Sequence, residues 1–423
     1  MTGTSEGALR VPARQAVRAH RIEGVVKPGF EGVREAFQEN FERRGELGAA
    51  CAVYLRGENV VDLWGGVRSR EGGEPWKADT MVLVHSATKG LAAMAMVLAH
   101  SRRLIEFDES VSAYWPEFAQ AGKERITLRQ LFSHQAGLFA LDERPTKGLV
   151  ADPDRLASVL ARQRPRWPPG VRQAYHAITL GFFQSEILRR VDVRHRSLGR
   201  FFQEEIATPL GIDFYIRLPE EIPDSRLAPL HRPRSMAGLF RTMPPGLVLS
   251  AMTPWSRFRR ALRGSELPEQ SDRVYARNQE VPSGGGVGTA RAIARAYGVL
   301  ATGGGELGLR EESLRELMAP AVAPARGFRD ACMKVEVRFS LGFEKPGPEH
   351  PFAHPTGFGH PGTGGSFGFA DPRHGIGFGY VPNQMGIHLD DPRQVALRQA
   401  TYRAIGVTDP YGEAMAESTS PGG

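Results

Sequence analysis

The sequence predicts a mixed α/β (α+β) fold with one antiparallel sheet, flanked by helices and interrupted by an inserted, mostly helical domain. Strand patterns occur near the amino terminus, within residues 49–64. A mostly helical pattern runs from residue 86 to about residue 291, and strand patterns return between residues 335 and 381. Two groups of strands separated by a helical block are most simply joined in one sheet made by the two ends of the chain.

The amino-terminal part is predicted to form a helix and a β-hairpin after a polar lead. Large apolar side chains recur at helical spacing within residues 29–44, at Phe30, Val33, Phe37 and Phe41. The pattern then becomes continuous or alternating at residues 49–55 and 60–64. The four residues between these two runs include Gly57 and suit a hairpin connection.

A serine and a lysine three residues apart, Ser86 and Lys89, stand at the start of an apolar run. Residues 81–84, just before them, have the pattern of a short strand. Apolar residues after them recur at helical spacing, at Leu91, Met94, Ala95 and Leu98. Because residues three apart share one helix face, we expect the Lys89 amine within hydrogen-bond reach of the Ser86 hydroxyl.

This spacing suits an activated serine nucleophile. A serine hydroxyl reacts poorly until a base takes its proton, and burial near a helix N-terminus makes lysine such a base. The motif is short, and chance alone yields about a third of a match in a chain of this composition. Taken by itself, it fits equally well a helix-capping Ser86 and a Lys89 that extends its amine to solvent.

Residues 126–138 predict a helix with Thr127 as N-cap and Gly137 after its end. His134 lies near that end and invites a catalytic interpretation. However, the sequence indicates no catalytic partner for this single histidine beside a glycine. We therefore expect His134 to pack or hydrogen-bond at the helix end.

The segment 229–285 is rich in proline and arginine and is predicted to form a cap. Its residues Trp255, Phe258 and Leu262 have the spacing of one helix face and are surrounded by arginines. That pattern also occurs in helices that lie on a membrane surface. A cap helix packed on the rest of the protein is the simpler interpretation.

The carboxy-terminal part is predicted to return to the sheet. Its expected elements are a helix at 289–300, strands at 335–343, 366–370 and 376–381, and a last helix at 392–405. The predicted organisation is a polar lead (1–24), a sheet domain (25–90 plus 288–410), a helical domain (91–287, including the cap) and a disordered tail (411–423).

Composition excludes several classes of protein. The chain has 423 residues, of which 41% are hydrophobic, as expected for a globular protein with a substantial core. Its net charge of +7 comes mostly from arginines scattered among 47 acidic residues, which argues against a nucleic-acid surface. The first 21 residues contain no apolar signal core, and no run of 18 apolar residues occurs. We therefore expect a cytoplasmic protein without a stable membrane anchor.

Three motifs occur in an order that makes the chain resemble the serine β-lactamase-like superfamily. This superfamily includes the class C β-lactamases, the DD-peptidases and the family VIII carboxylesterases, and the resemblance is strongest to the last group. The first motif is Ser86-Ala87-Thr88-Lys89. The second is Tyr175-His176-Ala177, where class C enzymes have Tyr-x-Asn. The third is His360-Pro361-Gly362, where those enzymes have Lys-Thr-Gly. The resemblance covers about residues 25–405 and implies the β-lactamase/transpeptidase-like version of the predicted fold.

The resemblance implies a role for each motif. Ser86 would form an acyl-enzyme with Lys89 and Tyr175 as its proton-transfer partners, and a Lys89 cation would favour the Tyr175 phenolate. The backbone N–H groups of Ser86 and Thr363 would form the oxyanion hole. His360 and Gly362 would contact the substrate beside the strand edge. No cofactor or metal is implied.

Two departures from the lactamase pattern favour an esterase for small acyl esters. Ala177 replaces an asparagine that would bind a substrate amide, and His360 replaces a lysine that would hold a β-lactam carboxylate. An acyltransferase or weak β-lactamase of the same fold, and a non-catalytic ligand-binding member, remain alternatives. The expected partner is a small-molecule ester, with no nucleic acid, and the oligomeric state stays open.

Ser366 is a competing candidate, because Gly364-Gly365-Ser366-Phe367-Gly368 matches the Gly-x-Ser-x-Gly elbow of α/β-hydrolases. That elbow requires a helix directly after its serine. A strand pattern follows Ser366 instead, which favours Ser86 as the nucleophile.

Overall fold

The computed structural model of the protein describes residues 21–233, 242–270 and 272–419. The strands of this part are β1 (Ile22–Val26), β2 (Gly48–Leu55), β3 (Glu58–Gly66), β4 (Met81–Leu83), β5 (Phe214–Tyr215), β6 (Leu227–Ala228), β7 (Val287–Gly288), β8 (Arg338–Ser340), β9 (Phe343–Lys345), β10 (Phe358–Pro361), β11 (Phe367–Asp371) and β12 (Ile376–Pro382). Eight of them form one antiparallel sheet in the order β1-β3-β2-β12-β11-β10-β9-β8. This confirms the predicted sheet, because β2 from the amino-terminal part pairs with β12 from the carboxy-terminal part.

Helices cover both faces of this sheet and fill the middle of the chain. They are α1 (Glu31–Arg43), α2 (Thr88–Ser101), α3 (Val111–Tyr114), α4 (Leu128–Phe132), α5 (Lys147–Val150), α6 (Pro153–Arg162), α7 (Thr179–Val191), α8 (Leu198–Phe202), α9 (Thr208–Leu210), α10 (Pro245–Met252), α11 (Arg257–Ala261), α12 (Ala290–Ala301), α13 (Glu311–Met318), α14 (Pro392–Ala404) and α15 (Pro410–Thr419). Within the described residues, no helix is both long and apolar enough to cross a membrane.

The alternation of side chains along the strands separates two cores. In β2, Cys51 and Val53 face a core shared with α1 and α14, whereas Ala52 faces a larger core that contains α2 and α12. Glycine allows α12 to approach β12 closely, since a Cβ on Gly377 would lie 2.2 Å from the Gly298 nitrogen. The sheet is therefore a middle layer between two helical layers.

A second sheet, which the sequence analysis did not predict, joins the start of α2 to the helical region. Its four strands follow the order β5-β7-β4-β6. Strand β4 pairs in parallel with β6 and antiparallel with β7, although these partners lie far along the chain. Strands of two or three residues leave little periodicity in a sequence. Their pairing fixes the residues that lead into Ser86.

Three sequence-based boundaries are wrong. Strand β1 starts at Ile22 and pairs with Gly65, so the polar lead ends before residue 24. The expected strand 335–343 is split into β8 and β9 at Leu341 and Gly342, which both have positive φ. Residues 410–419 form helix α15 in place of a disordered tail. The Asp409 carboxylate caps it by accepting the Gly412 N–H at 2.9 Å.

The predicted cap segment contains two helices in its described part, α10 and α11. Trp255 lies between them and is 80% exposed, so it does not share a helix face with Phe258 as expected. Ser256 explains the break, because its hydroxyl caps α11 by accepting the Arg259 N–H at 3.1 Å. The remainder of the cap prediction falls partly on residues 234–241 and 271, which lie outside the described residues.

Candidate active site

Ser86 lies in a tight turn between β4 and α2. The turn His85–Ala87 is a single 310 turn, and His85 adopts a positive φ of 46°. Thr88 fixes this geometry, because its hydroxyl donates to the His85 carbonyl oxygen at 2.5 Å and accepts the Gly286 N–H at 2.9 Å. Ser86 is consequently held at the N-terminal end of α2 with part of its surface open to solvent.

Lys89 is fully buried one helical turn after Ser86. Its Nζ lies 3.4 Å from Ser86 Oγ, 2.7 Å from the Ala177 carbonyl oxygen and 2.7 Å from the Ser283 carbonyl oxygen. Burial holds the pKa of the Lys89 amine well below its usual value of 10.5. A neutral amine has two N–H donors and one lone pair. The two carbonyls take the donors, which leaves the lone pair for the Ser86 proton.

Tyr175 lies on the other side of this pair. Its ring centroid is 4.7 Å from Lys89 Nζ, and its phenol hydrogen-bonds the Ser86 hydroxyl. Burial raises the pKa of Tyr175 above its usual value of 10, and the bond to Ser86 only partly opposes this. The expected phenolate is therefore wrong, because desolvation disfavours the charge of Tyr175 and of Lys89 alike. Tyr175 is a neutral phenol that can pass a proton on.

Gly362 brings the end of β10 against the Ser86 turn. A Cβ at this position would lie 2.1 Å from the Val84 carbonyl oxygen, so only glycine permits the approach. Thr363, next in the chain, is exposed. Its N–H makes no hydrogen bond within the described parts of the chain.

Ser366 lies in the hairpin formed by β10 and β11 and has a structural role there. Its hydroxyl is buried and donates to the Val84 carbonyl oxygen at 2.8 Å. Strand β11 follows it directly, as the sequence indicated, and no helix does. Ser366 therefore ties β11 to the Ser86 turn and lacks the adjacent base that a nucleophile needs.

His360 is brought to the same site but as a neutral ring. It is 2% exposed, and its ring centroid lies 6.0 Å from that of Tyr175. Its Nδ1 is 2.8 Å from the Pro361 carbonyl oxygen, whereas Nε2 has no partner among the described residues. Burial is the main cause that lowers the pKa of His360 to about 3. The His360 ring is therefore neutral at pH 6 and does not supply the positive charge that the corresponding lysine of lactamases supplies.

His134 and His176 support Tyr175 from behind, a role that the sequence analysis assigned to neither residue. His134 Nδ1 accepts the His176 N–H at 3.0 Å, and the His134 carbonyl oxygen accepts the Ala174 N–H at 3.0 Å. The His134 ring lies 5.1 Å from the Tyr175 ring. The expected packing of His134 after a helix is correct, although α4 ends at Phe132 and not near Gly137. In the sequence, the only signal for this arrangement of histidines around Tyr175 is that His176 directly follows Tyr175.

The buried histidines predict a pH-dependent stability. Burial is the main cause that lowers the pKa of His176 and of His360 to about 3 from an ordinary 6.5. Below pH 6.5 the unfolded chain binds protons that the folded chain does not, so stability is full above that pH and falls as pH decreases. Each ring should cost about 2 kcal/mol at pH 5 relative to pH 7.

Urea denaturation at pH 7 and pH 5 measures this loss. His360→Gln should reduce the difference in unfolding free energy between the two pH values by about 2 kcal/mol, since glutamine does not titrate. An equal difference in the variant and the wild type would show that His360 is already protonated in the folded protein at pH 5.

Comparisons with known proteins identify the family of the chain. The family model for beta-lactamases matches residues 33–402. Esterase/beta-lactamase LipL of Mycobacterium tuberculosis (strain ATCC 25618 / H37Rv) is 35% identical over 379 residues, which cover 86% of this chain and 83% of LipL.

Two solved structures share the whole architecture. A family VIII carboxylesterase aligns with a TM-score of 0.76 at 36% identity, covering 91% of this chain and 100% of that one. A penicillin-binding protein homologue from Caulobacter crescentus aligns with a TM-score of 0.77 at 34% identity, with the same coverage of 91% and 100%. Because the family model and these relatives span most of the chain, the protein belongs to the beta-lactamase family.

Proposed function

We propose that this serine hydrolase is a carboxylesterase that cleaves small acyl esters through an acyl-enzyme on Ser86. The observation that carries the proposal is the surroundings of the Lys89 amine. Its Nζ lies 2.7 Å from each of the carbonyl oxygens of Ala177 and Ser283 and 3.4 Å from Ser86 Oγ, so that in the neutral amine the lone pair remains for Ser86. The resemblance to proteins named as esterases supports the same activity.

In this mechanism the Ser86 oxygen attacks the ester carbonyl carbon while its proton moves to the neutral Lys89 amine, directly or through the Tyr175 phenol. The backbone N–H groups of Ser86 and Thr363 stabilise the resulting oxyanion. Collapse of the tetrahedral intermediate breaks the bond to the alcohol, which leaves with the same proton. Water then attacks the acyl carbon while its proton moves to the same base, and collapse of this second tetrahedral intermediate breaks the bond to Ser86 Oγ. The proton returns from the base to Ser86, and the acid leaves.

The surroundings of the acyl group favour esters over β-lactams. Ala177 offers no side-chain amide to a β-lactam, and His360 is a neutral ring at physiological pH. A β-lactam carboxylate would therefore lack a fixed cation at position 360. A hydrogen bond to a charged group contributes about 1.5–3 kcal/mol to binding, and this contribution would be lost. The neutral test ester p-nitrophenyl butyrate has neither group and loses nothing.

On one preparation, kcat/KM for p-nitrophenyl butyrate should exceed kcat/KM for nitrocefin by about a thousandfold. Each of the two missing contacts lowers the efficiency towards nitrocefin by about tenfold to a hundredfold. Because His360 stays neutral, nitrocefin cleavage should not rise as pH falls from 8 to 6. Equal efficiency towards the two substrates would contradict the assignment as an esterase.

A further inference from the structure

A cavity of about 260 Å3 lies beside the segment that leads to Tyr175. Its charged lining, called here the cationic cavity, consists of five cations and one carboxylate: Arg172, Arg257, Arg326, Arg329, Lys334 and Asp330. Because about 10–15 Å3 of such space is enough for one water, this volume exceeds the need of a single water or ion many times over. That volume suits a small organic group better than a single ion.

The positive charge of the cationic cavity is not balanced by the protein. None of its five cations forms an ion pair with a residue that the structure describes. Arg129, by contrast, forms ion pairs with Asp108 and Glu316. Like charges gathered around one cavity repel each other, and an anion bound between them removes that repulsion.

Asp330 supplies the single negative charge of the lining, which leaves the five cations in excess, and its carboxylate also holds its own loop. Its Oδ1 accepts the N–H groups of Cys332 at 2.7 Å and Met333 at 2.8 Å. Asp330 also lies close enough to the backbone N–H of Tyr175 to interact with it electrostatically. The carboxylate therefore joins the wall of the cavity to the catalytic tyrosine and leaves the guanidinium groups free for a ligand.

The cavity is held in place by backbone hydrogen bonds between two loops. The Arg326 N–H donates to the Val171 carbonyl oxygen at 3.0 Å, and the Ala331 N–H donates to the Gln173 carbonyl oxygen at 3.1 Å. On the third side, the Arg257 guanidinium lies 5.7 Å from the Trp167 ring centroid. The Cα atoms of Arg172 and Tyr175 are at most about 11 Å apart, because three residues span no more chain than that.

We propose that the cationic cavity binds a carboxylate-bearing organic anion, and that this anion is part of the ester whose carbonyl reaches Ser86. Guanidinium groups bind carboxylates in a bidentate manner, and four of the five cations are arginines. The substrate class is then an ester with a remote negative charge. The link to the substrate rests on the proposed esterase function, whereas the binding of the anion does not.

Calorimetric titration tests the binding without any turnover. The probes are 3-hydroxybenzoate and its neutral analogue 3-hydroxybenzamide, titrated into the Ser86→Ala protein. We expect the carboxylate to bind, and we expect the additional changes Arg326→Gln and Arg329→Gln to weaken it by at least about tenfold. Arg315→Gln, on exposed helix α13, is the matched control and should leave the affinity unchanged. The proposal would be overturned if the Ser86→Ala protein bound the carboxylate equally well alone, with Arg326→Gln and Arg329→Gln, and with Arg315→Gln.

Kinetics test whether the anion belongs to the substrate. For the protein with an intact Ser86, the double change should lower kcat/KM for 3-acetoxybenzoate by at least about tenfold, mainly through KM. Turnover of neutral 3-acetoxybenzamide should stay within about twofold. If the wild type hydrolyses neither ester, the proposed esterase function is contradicted. The titration would still show whether the cationic cavity binds the carboxylate.

A free anion is the alternative source of the carboxylate. If added 3-hydroxybenzoate changes the turnover of 3-acetoxybenzamide in the wild type but not in the double variant, the cavity binds a separate effector. That result keeps the anion site and overturns its link to the substrate. Unchanged kinetics with both esters in the double variant would overturn the link as well.

Discussion

Ser86→Ala should reduce kcat/KM for p-nitrophenyl butyrate by at least about ten-thousandfold, to the rate of the uncatalysed reaction within measurement. Among the described residues, Ser86 is the serine whose hydroxyl lies beside both the buried Lys89 amine and the Tyr175 phenol. Alanine leaves no atom that can form the acyl-enzyme. Initial rates with purified variant, corrected for spontaneous hydrolysis, measure the loss.

Ser366→Ala is the matched control for this change, because it removes a buried hydroxyl from the β10–β11 hairpin that contacts the Ser86 turn. Its bond to the Val84 carbonyl oxygen supports the fold, and its loss should cost about 1 kcal/mol of stability. We expect activity to remain within about tenfold of the wild type. If Ser366→Ala were inactive and Ser86→Ala active, the assignment of the nucleophile would be reversed.

Lys89→Met and Tyr175→Phe should each lower kcat/KM by about a hundredfold to ten-thousandfold, the range for loss of a proton-transfer group. Methionine fills the volume of the lysine stem without an amine. Circular dichroism checks that the fold survives, since the Ala177 and Ser283 carbonyl oxygens lose their donor. Steady-state rates on p-nitrophenyl butyrate give the size of each loss.

The double variant distinguishes one proton-transfer unit from two independent contributions. Residues that act as a unit are not additive, so Lys89→Met combined with Tyr175→Phe should be about as slow as the worse single variant. Losses that multiply would instead indicate separate roles. Full activity of Lys89→Met would remove the neutral amine from the mechanism.

Local features of the site could be predicted from the sequence, because they depend on residues close together in the chain. Ser86 and Lys89 share one helical turn, and the strand after Ser366 separates it from an elbow serine. The main sheet could also be predicted, since β2 and β12 carry clear apolar patterns. These features use the periodicities of two and of 3.6 residues that a sequence displays directly.

Other features depend on contacts between distant segments and could not be predicted. The neutral state of Tyr175 follows from burial by the folded chain, and so does the low pKa of His360. Strand β4 pairs with strands about 145 and 205 residues later in the chain. The cationic cavity draws its arginines from three segments, each of which looks like an ordinary solvated stretch by itself.

Covalent labelling tests the central claim, that Ser86 is a nucleophile activated by a neutral Lys89, most directly. The protein is treated with an activated fluorophosphonate and examined by intact mass and by peptide mapping. We predict one adduct per chain, located on Ser86, which forms much more slowly in Lys89→Met and is absent in Ser86→Ala. A wild-type protein that stays unlabelled, or that carries its adduct on Ser366, would contradict the account.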